Sequence, residues 1–256
     1  MHNFISNLFL KMDMIPAISL KRQFELAFLE KDRWKLYITG LENTLIITFG
    51  ALLVGVLIGA LIAVVRTTYD RTYTEMNKGA GKAFLAIFNL LCKIYLTVIR
   101  GTPVVVQIMI IFFIVFAGAS TDANLAIAIL AFGINSGAYV AEIFRSGIMS
   151  IDIGQTEAGR SLGFNYTQTM LFVIIPQAFK NVLPTLGNEF IVLLKETSVC
   201  GYIGLMDLTR AGDSVRAATY LAFVPLIVVA IVYLVMVMFS TWLLGKLERR
   251  LRNDER

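Results

Sequence analysis

The sequence predicts an all-α integral membrane protein with five transmembrane helices. Two compositional observations and one of patterning predict it. Hydrophobic residues make up 57% of the 256-residue chain and charged residues only 16%, with a mean hydropathy of +0.73. A soluble domain carries roughly 45–50% apolar and about 25% charged residues, and one aqueous core of this size does not bury such an excess. The apolar residues are instead gathered into long uncharged runs of bilayer length. One His and two Cys (Cys92 and Cys200) give no basis for a His/Cys metal site or a disulfide framework, and the cysteines read as small apolar fillers. The net charge of +5 reads as a topology signal rather than a nucleic-acid footprint.

The uncharged runs place the crossings. Residues 43–65 hold 23 uncharged positions, ~34 Å of helix against a hydrocarbon core of about 30 Å. Residues 101–121 and 123–141 are the second and third crossings, and residues 217–245 form the last, long enough to tilt. Residues 181–203 carry Glu189, Lys195 and Glu196 among Leu, Ile, Val and Phe and complete the five. Residues 161–179 also lack charge, but they open on a polar string and contain Pro176. They are predicted as a loop with short helices. Residues 83–99 are apolar except for Lys93 and run into Gly101-Thr102-Pro103, where the chain should kink. Lys93 and Arg100, seven apart, share a helix face at the membrane surface, and Arg100 reads as an anchor.

Basic residues set the orientation. The segments 66–82 and 142–180 and the tail 245–256 together hold 12 Lys/Arg and are assigned to the cytoplasm. The turn 118–122 has no basic residue, and the last outer connection has Arg210 and Arg216. Five crossings then put the N-terminus outside and the C-terminus in the cytoplasm. The organisation expected is an extracytoplasmic arm over 1–41, a transmembrane domain over 42–247 and a basic cytoplasmic tail over 248–256. Six Lys/Arg in the arm oppose this orientation, accompanied by Asp13, Glu25, Glu30 and Asp32. Residues 1–20 lack a signal-peptide core with a cleavage site. The arm is therefore expected to be uncleaved, with residues 24–37 as a surface-lying amphipathic helix.

No catalytic constellation is present. Lys78-Gly79-Ala80-Gly81-Lys82 resembles a phosphate loop, but Met76 and Ala83 stand where the pattern requires Gly and a hydroxyl. The chain is expected to be no enzyme, with any ATP used by another chain. Glu189, Lys195, Glu196, Asn135 and Gln107 lie within apolar runs, where polar groups normally face a cavity or a partner. Glu189 and Glu196, seven apart, share a face suited to an α-amino group or a cationic side chain. The set serves either a substrate path or structural ion pairing. The pairs Gly55/Gly59 and Gly133/Gly137 have the spacing of close helix or subunit contacts.

The segment after the third crossing runs from Ser136 to Ile148 and on through Gly154-Gln155-Thr156-Glu157-Ala158-Gly159-Arg160-Ser161-Leu162-Gly163 to Ile175-Pro176. Thr156 is suited to cap a short helix with Glu157 on its positive end, and Gly163 to stop it in a left-handed conformation. Two turns of helix are unstable alone and must dock on something.

This segment resembles the Glu-Ala-Ala loop of ABC-transporter permeases, the membrane subunits of binding-protein-dependent importers. The match lies in Glu157-Ala158, in Gly163 six positions later and in Ile175-Pro176; Gly159 departs from it, standing where the motif has Ala. That departure weakens helix propensity by about 1 kcal/mol. Arg100-Gly101-Thr102-Pro103-Val104-Val105-Val106-Gln107, Ser136-Gly137-Ala138-Tyr139, Leu186-Gly187-Asn188-Glu189-Phe190 and Leu193-Leu194-Lys195-Glu196-Thr197-Ser198 are similar to strings of the polar amino-acid uptake permeases.

The resemblance implies an ABC-importer permease fold in a bacterial cytoplasmic membrane. It implies a second permease copy or homologue, two cytoplasmic ATPases holding the ATP and magnesium, and an extracytoplasmic amino-acid-binding protein. This chain itself would bind no cofactor and no nucleic acid. Glu157, Ala158, Gly159, Arg160 and Gly163, within a loop of about 152–176, would couple to the ATPase. The alternatives are a self-contained channel or secondary transporter, which would need its own coupling machinery, and a scaffold or receptor subunit.

Overall fold

The structure, a computed structural model, describes residues 19–74 and 76–253. Residues 1–18 of the expected arm lie outside the described residues, as does the end of the basic tail. The described chain is helical throughout its ordered elements. In order they are α1 (Leu20–Phe24), α2 (Trp34–Thr72), α3 (Ala80–Gly101), α4 (Val104–Ile110), α5 (Asn124–Met149), α6 (Ile153–Ser161), α7 (Tyr166–Thr169), α8 (Ile175–Glu196), α9 (Leu208–Thr219) and α10 (Phe223–Asn253). Five helical stretches are long and apolar enough to cross a membrane: Trp34–Thr72, Ala80–Gly101, Thr121–Met149, Tyr166–Ile203 and Phe223–Leu251.

The most extensive contact joins α2 to α5, and glycine makes it possible. A Cβ on Gly133 would stand 2.5 Å from Val54 Cγ1, one on Gly137 2.9 Å from Ile58 Cγ2, and one on Gly50 2.9 Å from Ile129 Cγ2. The paired positions 50/129, 54/133 and 58/137 keep a constant offset, so α2 and α5 run parallel. Both Gly-x-x-x-Gly pairs therefore face this one seam within the chain. Around it the other helices alternate. Tyr73 meets Lys82 and Arg66 meets Asn89, so α3 returns antiparallel to α2. Ser136 bonds Glu189 and Gly147 abuts Val182, so α8 returns antiparallel to α5. The core beside the seam gathers Ile47, Ala51, Ile108, Ala128, Phe132 and Leu193.

The second crossing is built differently from the expectation. The run 101–121 is not one helix: α3 ends at Gly101, Thr102 is extended, and α4 with a following π turn covers only Val104–Val115. Those 12 residues span ~18 Å, too short to cross alone. The long helix is α3, whose apolar side chains outweigh Lys93. Its Leu96 packs on Ala138 and Ala141, and Ile108 of α4 continues into the central core. The first helix begins at Trp34, inside the segment assigned to the arm. The expected amphipathic helix over 24–37 is broken, because Lys31 and Asp32 adopt positive φ (55° and 54°). The part before the break folds back, with Ala27 buried beside Leu208, Ala211 and Val229.

The residues after Gly163 also depart from the loop predicted over 161–179. The chain is helical from Tyr166 onward and runs through a π turn into α8. Pro176 sits in the first turn of α8, directly after the π turn, and the helix continues through it. Pro184, by contrast, lies inside α8 and removes one internal bond.

The seam predicts a measurable asymmetry among glycines. Gly59→Ala would bring a Cβ to 2.8 Å from the Ala141 backbone nitrogen and is expected to destabilise the protein by ~1–3 kcal/mol. Gly79→Ala meets nothing within 4 Å and should leave the melting temperature unchanged. Thermal unfolding of the purified variants in one detergent checks both.

Candidate coupling helix and polar layer

The short helix α6 stands apart from the bundle, and four contacts hold it there. Asp152 caps it, its carboxylate accepting from the Gly154 N–H at 2.7 Å. The helix thus starts one turn earlier than a Thr156 cap would place it. Thr156 is engaged elsewhere. Its hydroxyl accepts from Arg71 Nη1 at 3.0 Å, while Arg71 Nη2 donates to the Ile148 carbonyl at 3.2 Å. Arg71 at the end of α2 thereby ties α6 to the end of α5. At the other end Gly163 adopts φ 86°. Its N–H donates to the Arg160 carbonyl at 2.9 Å and the Phe164 N–H to the Gly159 carbonyl at 3.2 Å, a Schellman stop. Gln177 of α8 reaches Gln155 at 3.1 Å.

Gly159 is explained by packing. It is the buried residue of α6, and a Cβ there would stand 2.9 Å from Thr169 Cγ2. Thr169 is itself buried and fixed by its hydroxyl donating to the Asn165 carbonyl at 3.0 Å. The glycine therefore lets α6 lie against α7. Glu157, Ala158, Arg160 and Gly163 all face outward. Two apolar side chains frame them, Ile153 at 72% and Leu162 at 78% exposure. A rigidly held helix with exposed apolar ends is built to be covered.

Within the bundle, Gln107, Asn135 and Glu189 form one polar layer. Its origin is Pro103. Proline has no N–H, so the Ile99 carbonyl one turn back has no helical donor. Gln107 Nε2 donates to that carbonyl at 2.7 Å, and also approaches the Thr102 carbonyl (3.0 Å) and Oγ1 (2.7 Å). Asn135 Nδ2 on α5 donates to Gln107 Oε1 at 2.9 Å. The next residue, Ser136, donates to Glu189 Oε1 of α8 at 2.7 Å. All four side chains are buried, so the layer joins α4, α5 and α8 across the apolar interior. Ser136 is the partner that the sequence alone did not single out. Glu196 lies two turns beyond Glu189 on the same helix, half-buried, and Lys195 is exposed.

The Gly159–Thr169 contact has a testable sign. Gly159→Ala, although it raises helix propensity, is expected to lower stability by about 1 kcal/mol. Adding Thr169→Ser removes the opposing methyl and should recover that loss, as read from thermal melts in a double-mutant cycle.

Residues 79–253 match the family described as "Binding-protein-dependent transport system inner membrane component". The chain is 36% identical over 218 residues to the arginine transport system permease protein ArtQ of Bacillus subtilis, covering 84% of this chain and 92% of that protein. It is 40% identical over 169 residues to the glutamine transport system permease protein GlnP of Escherichia coli, covering 65% and 77% respectively. A solved structure described as an amino acid ABC transporter with histidines superposes with a TM-score of 0.74 at 41% identity, over 87% of this chain and 98% of that one. An alternating bundle of five candidate crossings with an outward-facing helix after the third fits these relatives, and the chain belongs to the family of binding-protein-dependent transport system inner membrane components.

Proposed function

We infer that this permease subunit of an amino-acid ABC importer carries a polar amino acid along a path whose fixed polar element is the Gln107–Asn135–Ser136–Glu189 layer. We also infer that α6 receives the movement of a separate ATPase. The observation that carries the reading is the construction of α6. It is too short to be stable alone, is braced by Arg71 and Asp152, and presents Ile153, Glu157, Ala158, Arg160 and Leu162 outward. A cleft in a partner would bury those apolar ends and pair with Glu157 and Arg160. The ATP and magnesium then belong to that partner.

The orientation follows from charge. Among the described residues, the basic ends of α2, α5 and α10 share one end of the alternating bundle with α6, and the positive-inside rule reads that end as cytoplasmic. The chain then starts outside and ends inside a bacterial cytoplasmic membrane. The opposite end, with α9, faces the amino-acid-binding protein, and a second permease copy or homologue completes the path. Glu189, with Glu196 further along α8, fits an α-amino group or a cationic side chain by charge, and Lys195 remains a third candidate of the path.

Three measurements test this reading. In proteoliposomes holding the complete transporter, Glu157→Lys should lower binding-protein-stimulated ATPase activity on the order of tenfold or more, with the protein still inserted and assembled. Unchanged stimulation would overturn the coupling role. Amino-acid movement by this chain alone, without an ATPase, would overturn the importer reading and favour a self-contained transporter. Glu189→Gln keeps the Ser136 hydrogen bond but removes the charge. It should reduce uptake by at least about tenfold, the worth of one charged contact, while basal ATPase activity is retained.

A further inference from the structure

A second feature of the bundle is independent of α6 and of which amino acid is carried. Between α2, α3 and α5 lies an open cavity of about 460 Å³ whose lining includes Arg66, Lys93, Thr97, Arg100 and Glu142. Three cations converge there on one carboxylate, and that carboxylate is already engaged, with Arg145 Nε donating to Glu142 at 3.1 Å. Arg66 donates from Nη1 to Asn89 at 3.1 Å, but its Nε is buried with no hydrogen-bond partner among the described residues. Lys93 and Arg100 lie over aromatic rings, Tyr69 at 5.9 Å and Tyr139 at 5.8 Å. Among the described residues none of the three cations pairs with a carboxylate.

Two separate chain segments place this cavity at the edge of the hydrocarbon. The uncharged run 43–65 in α2 ends before Arg66, and the run 123–141 leading along α5 ends before Glu142. Each of these charges is thus the first to emerge from hydrocarbon, so the cavity lies at the headgroup level. It opens beside an apolar strip. Leu90, Ile94 and Val98 recur every fourth residue along α3, next to the cavity-facing positions 93, 97 and 100, and each is more than half exposed. A cationic recess at headgroup depth, flanked by an exposed apolar strip, matches a ligand with an anionic head and an acyl tail.

We propose that this cavity binds the phosphodiester headgroup of an anionic phospholipid, held by Arg66, Lys93 and Arg100, with an acyl chain along Leu90, Ile94 and Val98. The shared chemistry is a phosphate-type anion. The apolar strip is what assigns it to a lipid rather than to free phosphate. Lipid occupancy here would brace the break at Thr102–Pro103 against α2 and α5.

Native mass spectrometry of the full-length chain in zwitterionic detergent tests the proposal. The probes are dioleoyl-phosphatidylglycerol, dioleoyl-phosphatidylethanolamine and millimolar inorganic phosphate. Phosphatidylglycerol should bind the unmodified chain at least about fivefold more tightly than phosphatidylethanolamine. Lys93→Gln with Arg100→Gln should remove that preference, at roughly fivefold per cation lost. The charge-retaining exchange Lys93→Arg with Arg100→Lys should keep most of it, and Arg216→Gln on α9 should leave it unchanged. Equal binding of the two lipids by the unmodified chain overturns the proposal, and that comparison requires no variant to fold. So does phosphatidylglycerol binding that survives in the folded neutral double variant. Full displacement of phosphatidylglycerol by millimolar inorganic phosphate would identify a free-anion site and overturn the lipid assignment.

Discussion

The parallel seam between α2 and α5 is the constraint on which the rest of the molecule depends. In a bilayer, apolar side chains gain little by leaving lipid for one another, so helices associate where their backbones approach closely. Gly55, Gly59, Gly133 and Gly137 supply that approach, and the side chains opposite them, Val54, Ile58, Ser136 and Val140, fill the notches. Once α5 is fixed against α2, Asn135 and Ser136 are held at one depth. Gln107 and Glu189 are then brought to them from α4 and α8. The polar layer is thus a consequence of the glycine seam, since its two central members are neighbours on the helix that the seam positions.

The break in the second crossing shows how the same interior tolerates an irregular backbone. Proline at 103 supplies no N–H to the Ile99 carbonyl, which would be expensive within a membrane protein unless another donor is supplied. Gln107 supplies it and bonds Asn135 with its remaining oxygen. One amide therefore repairs the backbone and joins two helices. The Tyr95 hydroxyl plays a related part by donating to the Ile134 carbonyl of α5. These bonds hold α3 and α4 as a jointed pair against a continuous α5.

The number of crossings was legible in the sequence because charge is so costly in hydrocarbon that uncharged runs survive only where lipid demands them. The boundaries were less so. Lys93 sits in α3 and reaches the Tyr69 ring with its long stem, so this one charge does not keep α3 from being a candidate crossing. Pro176 suggested a loop, but the helix passes through it by way of the π turn Met170–Ile174. The short helix α6 was legible in its stop, since Gly163 has the left-handed conformation that glycine favours. Its start was not, because Asp152 and Thr156 are both good caps and only Arg71, 85 positions away in sequence, occupies the Thr156 hydroxyl. Gly159 looked like a defect in helix propensity. Its reason is a contact with Thr169, which no local pattern contains.

Pro184 in α8 has a mechanical consequence. The α2–α5 seam is notched at every turn, so sliding one helix along the other by a single turn would drive side chains into backbone. The two helices can move only as a unit. The segment from Arg71 through α6 is tied to the same unit, so a push on α6 enters it directly. The freedom left in the bundle is flexure, and α8 carries the one internal proline among the described helices, between the buried Val182 and Glu189. The bundle therefore behaves as a stiff beam beside a jointed one. On the coupling role proposed for α6, displacement there would bend α8 about Pro184, within two turns of the Glu189 carboxylate.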